Sequence, residues 1–263
     1  MALCAAVALL VLSLGTGAVQ GGGAAPAPAA PAGAPGTGGQ APAGITLDMV
    51  RDQLRRGDYE AALALAQAVV DRQPADLRAR FYLGLTLHKT KRYALAQPLL
   101  EAAAAGARDA FPEAVHASHY LGWCRYYLGD LPGARAAFEA HVAAVPDYDD
   151  SHFGLGVIAF DEDRLDDARA SFERALAILD AHRGPARERA KNLARLGDVA
   201  LRQERLADAE SAYRRAVDLW PDHYEAWAKL ARVLDRLDRP QEAQQARARR
   251  EAILARAPKE ATR

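Results

Sequence analysis

Three histidines, His88, His116 and His119, are the residues whose spacing could do chemistry first. His116 and His119 stand three apart, on one face if the segment is helical, with His88 on a preceding element, and such a trio could bind zinc or copper. No nearby carboxylate or thiolate completes an obvious ligand set, so the competing reading is aromatic-like side chains without metal. Cys124 lies in an apolar helical stretch and reads as a small core residue rather than a nucleophile. Gly154-Leu155-Gly156-Val157-Ile158-Ala159 matches a dinucleotide fingerprint in letters only, because that fingerprint needs a preceding strand and a βαβ unit. Arg247, Arg249, Arg250 and Arg256 could seat an acidic surface, but also suit the wet face of a last helix. No nucleophile elbow, phosphate loop, HExxH or paired-cysteine motif occurs, so no catalytic residue, metal or cofactor is assigned.

The composition narrows the partners. The chain has 263 residues with 34 basic and 34 acidic side chains, a formal net charge of zero. Nucleic acid is therefore not the default partner. Every charge lies from Asp48 onward, which splits the chain into two materials. Residues 1–20 carry an apolar run from Ala2 to Leu14 followed by small residues, the length of a signal-peptide core rather than a span. No Lys or Arg precedes it. The expectation is export, to the periplasm or cell envelope of a bacterial-type host, with a cytoplasmic location if the leader is not a working signal. Residues 21–44 hold almost nothing but Ala, Gly and Pro and read as a disordered linker. Without Cys4, Cys124 stands alone and no intrachain disulfide is possible.

Beyond residue 43 the sequence repeats. An alanine, a bulky residue four positions on, and usually a small residue three further recur six times: Ala62/Ala66/Val69, Ala96/Leu100/Ala103, Ala134/Phe138/His141, Ala168/Phe172/Ala175, Ala209/Tyr213/Ala216 and Ala243/Arg247/Arg250. The first members are 34, 38, 34, 41 and 34 residues apart. Thirteen residues before them stand Leu83-Gly84, Leu121-Gly122, Leu155-Gly156, Leu196-Gly197 and Leu230-Ala231, and Pro74, Pro146 and Pro221 fall twelve after. Small residues let paired helices approach, and proline stops the second helix. Gly57-Asp58 and Gly129-Asp130 mark turns inside hairpins.

This pattern resembles the tetratricopeptide repeat (TPR) family over residues 43–257. The resemblance implies an all-α, right-handed solenoid of about six helical hairpins, with units near 43–76, 77–114, 115–148, 149–189, 190–223 and 224–257 and a tail at 258–263. Insertions near Gly106–Pro112 and His182–Glu188 should lengthen helices or loops. Thr46 and Gln53 in the first unit, and Arg247 and Arg250 in the last, read as polar caps of a complete array.

In the family the first helices of successive hairpins line a concave groove that receives ligands. Carried onto this sequence, the groove positions are Arg78, Phe81, Leu85 and His88 in unit two. Unit three supplies His116, His119, Trp123 and Tyr126, with Tyr127 beside them, and unit four supplies Asp150, Phe153, Val157 and Phe160. Central aromatics of this kind are the usual anchors of peptide recognition. The alternative is that several pack between helices, since Tyr126 and Tyr127 cannot both point outward. Units five and six present mixed charge, Lys191, Asp198, Arg202, Glu225, Arg232, Asp235 and Arg236, which reads as solvated. Gripping a chaperone's C-terminal carboxylates needs two groove asparagines, and the sole asparagine, Asn192, does not match. The resemblance thus implies a non-catalytic scaffold or adaptor binding a protein or peptide partner, with no membrane span in the folded part and no statement about oligomeric state. The alternatives are a structural subunit assembled through its ends or convex face and, more remotely, a metal-binding protein using the groove histidines.

Overall fold

The computed structural model describes residues 44–106 and 110–256. The leader, the linker up to residue 43, the tail and part of the first insertion lie outside the described residues. Those described are helical, without a strand among them. Twelve α-helices pair into six antiparallel hairpins: α1 (Leu47–Arg56) with α2 (Tyr59–Arg72), α3 (Leu77–Lys89) with α4 (Tyr93–Ala105), and α5 (Ala117–Tyr127) with α6 (Leu131–Ala144). Then come α7 (Asp149–Asp161) with α8 (Leu165–Ala181), α9 (Ala186–Arg202) with α10 (Leu206–Leu219), and α11 (Tyr224–Arg236) with α12 (Pro240–Arg256). One 3₁₀ turn, Ala114–His116, leads into α5. The second insertion lengthens α8 and α9 to 17 residues each.

The repeated alanines and glycines act as a socket. The first alanine of each unit, from Ala62 to Ala243, is fully buried. In units two to five the bulky residue four positions later plugs into the glycine of its partner helix. A Cβ on Gly122 would stand 2.7 Å from the Phe138 ring, one on Gly156 2.7 Å from Phe172, and one on Gly197 2.6 Å from Tyr213. Only a hydrogen side chain lets those rings sit there. Phe138, Phe172 and Tyr213 are accordingly among the largest fully buried side chains.

Each hairpin turns through the same backbone device. One residue per turn has left-handed φ: Gly57, Lys91, Gly129, Asp163, Glu204 and Asp238. The next N–H then bonds to the carbonyl five residues back, as in Asp58 to Gln53 at 3.0 Å, Arg92 to Leu87 at 2.8 Å and Arg239 to Leu234 at 2.9 Å. This Schellman arrangement satisfies the orphan carbonyls at the helix end. It tolerates residues other than glycine at four of six turns.

Second helices pack on the following first helices, and first helices touch one another directly, α1 on α3, α3 on α5 and α5 on α7. The closer approach on the first-helix side makes that side the inner wall. In the last hairpin α12 buries only Ala243 and Ala246, and Arg247, Arg249 and Arg250 stay in water.

Candidate functional site: the inner wall of the helical array

The predicted groove residues divide into a wet strip and a buried layer. Tyr127 is 54% exposed and stacks on Tyr93, ring centroids 4.5 Å apart, with Trp123 on its other side at 6.0 Å. Trp123 continues to Phe153 at 6.3 Å, and Phe153 rests on Phe172. Tyr126 is half-buried with its hydroxyl donating to Asp161 at 2.9 Å, and Phe160 lies under the Arg202 guanidinium at 5.2 Å. Arg78 is bound through two nitrogens to Glu113, at 3.1 and 3.0 Å, and Leu85 is half-buried against the core.

Three predicted groove residues belong to the core instead. Phe81, His119 and Val157 are 2%, 3% and 5% exposed. α3 and α5 are each flanked by their own partner and by first helices on both sides, and α7 by α8, α6 and α5, so less of their inner faces stays wet than position counting implies. Phe81 packs edge-on to Tyr82 and against Phe111 and Tyr120. His88 is half-buried with both ring nitrogens out of water and unbonded, its ring set against Tyr93 and Tyr120. Burial, then the positive charge of Lys89, lowers its pKa to about 4. It is a neutral aromatic neighbour.

His116 and His119 join a polar chain that also recruits His141 and Ser151 from α6 and α7. His116 Nδ1 lies 3.1 Å from His141 Nε2, His141 Nδ1 2.8 Å from Ser151 Oγ, and Ser151 Oγ 2.8 Å from His119 Nδ1. His119 Nε2 reaches Asp150 Oδ2 at 3.2 Å, and the Trp123 indole N–H donates to the same oxygen at 3.0 Å. An ionised carboxylate only accepts, so Asp150 sets the direction of every bond. With neutral rings, His119 donates to Asp150, Ser151 to His119, His141 to Ser151 and His116 to His141. Burial opposes ionisation of Asp150, but the bonds from His119 and Trp123 overcome it and hold the carboxyl below its ordinary range. Burial, then the neighbouring His119 and His116, lowers His141 to about 3. Burial likewise lowers His116.

Ser151, His119 and Asp150 have the residue types of a nucleophilic triad, yet Ser151 is completely buried and a second histidine occupies its hydroxyl. No substrate could reach it. The chain instead fixes Trp123 from behind. The histidines do not converge on a metal: both ring nitrogens of His119 are committed, and those of His88 are buried with no polar group beside them. Among the described residues no group of three or more His, Cys, Asp or Glu is arranged to hold one. Cys124 is fully buried, and burial pushes its thiol up to about 12.

Beyond Phe153 the inner wall opens into a cleft of about 440 Å³. Residues of α9 and α11 line it together with Trp220 and His223. This is the part that reads from sequence as solvated mixed charge. One signal pointed here: Tyr213 fills the most buried place of its unit, where its hydroxyl must find an acceptor. That acceptor is Asp198, at 2.7 Å. Asn192, next to Lys191, is buried and donates to the Glu188 carbonyl.

A tetratricopeptide repeat family model matches residues 47–110, 96–149 and 194–261, and a second model of the same description matches 149–222. The chain belongs to the tetratricopeptide repeat family. No curated protein matches it. Among solved structures, BtubC (BKLC) from P. vanneervenii is similar with a TM-score of 0.62 and 16% identity, over 78% of this chain and 91% of that one. MamA (MSR-1) gives 0.54 and 20%, over 68% and 97%. YrrB, described as a TPR protein with an unusual peptide-binding site, gives 0.53 and 14%, over 73% and 93%. At these identities the likeness is one of fold. TPR arrays bind protein partners, and this one is a protein-interaction scaffold. Among the described residues no helix is long and apolar enough to cross a membrane.

Proposed function

We propose that the array is a non-catalytic adaptor that holds a segment of a partner protein along its inner wall. The carrying observation is the aromatic strip of exposed Tyr127 and half-buried Tyr93, Trp123 and Phe153, which runs into the cleft beyond Phe153. Aromatic rings pre-set by packing offer large contact area at little entropic cost. Trp123 is held by Asp150 and Tyr127 by stacking on Tyr93, so neither must be ordered on binding. The peptide-binding site of YrrB, a protein of the same fold, is consistent with this use of the array. From its leader sequence we also propose that the protein works outside the cytoplasm, in the envelope.

A Trp123→Ala, Phe153→Ala double variant tests the adaptor reading. It should keep its helical circular dichroism and lose its partner in a crosslinking pull-down from fractionated native cells. Capture unchanged by the variant would move the binding surface elsewhere. The second reading, a structural subunit joined through the outer face, draws on Leu95, which is 62% exposed on α4. Substitution there, and not in the strip, would then break the complex.

A further inference from the structure

The six hairpin turns line one edge of the array, because antiparallel hairpins stacked side by side bring their turns together. Contacts between neighbouring turns show it: Arg92 with Glu60 at 3.2 Å, Tyr93 on Tyr127 at 4.5 Å and Arg202 with Asp163 at 2.7 Å. The turns differ in charge. The second holds Lys89, Lys91 and Arg92 and no acid, whereas each of the other five has an Asp or Glu within three residues of its left-handed position. Glu60 engages Arg92, but Lys89 and Lys91 are exposed and no carboxylate among the described residues pairs with either. The Lys89 ammonium meets only the Tyr120 ring, 5.8 Å from its centroid. At the fourth turn the sign changes to Asp161, Glu162 and Asp163, which bounds the basic stretch.

Apolar side chains gather where the acids are missing. Of the large hydrophobic residues exposed among those described, Tyr59, Leu95, Tyr127 and Leu128 all stand on the first three turns. Cβ atoms of a helix tilt toward its N-terminus, so Tyr59 and Leu95, at the starts of α2 and α4, lean toward the edge. A row of turn tips is a ridge, and a ridge meets a plane along its length. We propose that the edge formed by the first three turns docks on an anionic lipid surface, with Lys89 and Lys91 at headgroup phosphates and Leu95 and Leu128 in the acyl boundary. Lysine stems lie along apolar surface while their ammonium groups stay at the phosphates, and tyrosines such as Tyr59 suit the same interface. Nucleic acid fits less well, because Leu95 and Leu128 give a base nothing to stack on. A fluid bilayer adjusts to scattered apolar tips, whereas an acidic protein would need a surface shaped to them. The edge and the aromatic strip share Tyr127, which is therefore left intact in every variant below.

A nitrobenzoxadiazole label, which brightens in lipid, tests this on the full chain. Cys4→Ser leaves Cys124 as the only native thiol, and it is fully buried. The label is then attached at Leu128→Cys or, for comparison, at Gln203→Cys on the fifth turn, and circular dichroism checks each fold. Vesicles of phosphatidylglycerol and phosphatidylcholine in equal parts should brighten the label at 128 and not the one at 203. Phosphatidylcholine alone should brighten neither. Lys89→Gln with Lys91→Gln should weaken the vesicle titration about 30-fold, and added salt should weaken it without any substitution. Brightening at 128 that ignores headgroup charge and both lysines would assign the contact to the apolar leader and overturn the edge. Equal brightening at 203, or none at 128, would overturn it too. If no vesicle brightens the label while the lysine variant loses an acidic protein from a native pull-down, the edge belongs to that protein and the lipid surface is overturned. None of these outcomes bears on the groove, which the Trp123 and Phe153 variant tests separately.

Discussion

Lys91 holds a backbone conformation that glycine adopts freely, φ 60°, in a turn where Gly57 and Gly129 stand in the equivalent places. A Cβ in this region costs about 1 kcal/mol. Lys91→Gly should therefore raise the apparent melting temperature by roughly 2–4 °C, read by circular dichroism. Gly129→Ala should lower it by a similar amount. A second residue-scale effect concerns His88, whose ring is neutral in the fold and free to take a proton once unfolded. The stability it contributes is complete above pH 6.5 and declines as the pH falls from there toward about 4. By pH 5 the loss is on the order of 2 kcal/mol. His141 and His116 act in the same direction, His141 down to about 3. His88→Phe should leave the urea midpoint at pH 7 unchanged or higher, because no hydrogen bond is lost, and should lessen its fall at pH 5. An unchanged fall at pH 5 would place the acid sensitivity elsewhere.

Between elements, the ring-in-glycine contact sets how closely two helices of a hairpin pack. Gly122→Ala would drive a methyl into the Phe138 ring, which Gly154 of α7 also touches from the far side, so the ring has nowhere to retreat. Such overpacking costs about 1–3 kcal/mol, and adding Phe138→Leu should recover part of it in a double-mutant cycle followed by urea denaturation. These sockets were legible in the sequence because glycine, alanine and bulky residues recur at fixed offsets. The turns were half legible: glycine announced two, while Lys91, Asp163, Glu204 and Asp238 are enforced by backbone hydrogen bonds that no residue type reports. The polar chain was not legible. His141 and Ser151 come from other helices than His119, and only packing brings them to its ring. Counting groove positions failed at Phe81, His119 and Val157 because it ignores how much of a helix its neighbours cover. Charge patterning failed at Asp198 for the converse reason, since letters do not show that an acid is sheltered.

Across the whole array, stability is a sum of hairpins and the junctions between them. α1 fully buries only Val50, and α12 only Ala243 and Ala246, whereas α9 buries eight residues. Amide hydrogen exchange should therefore be fastest in α1 and α12 and slowest in α5 to α10, in graded steps. A single exchange rate throughout would mean that the array opens as one unit.

The junctions also differ in what fastens them. The last hairpin is tied to its neighbour by four ion pairs, Arg236 with Glu204, Arg239 with Glu210, Arg214 with Glu242 and Lys229 with Asp198, whereas Arg92 with Glu60 joins the first two. Three of the four lie where dissolved ions reach them, and each is individually weak. The wall of the cleft on the α11 side is thus mounted on a fastening that ionic strength can slacken. Salt would thus reach whatever the cleft holds indirectly, by loosening the helix that walls it.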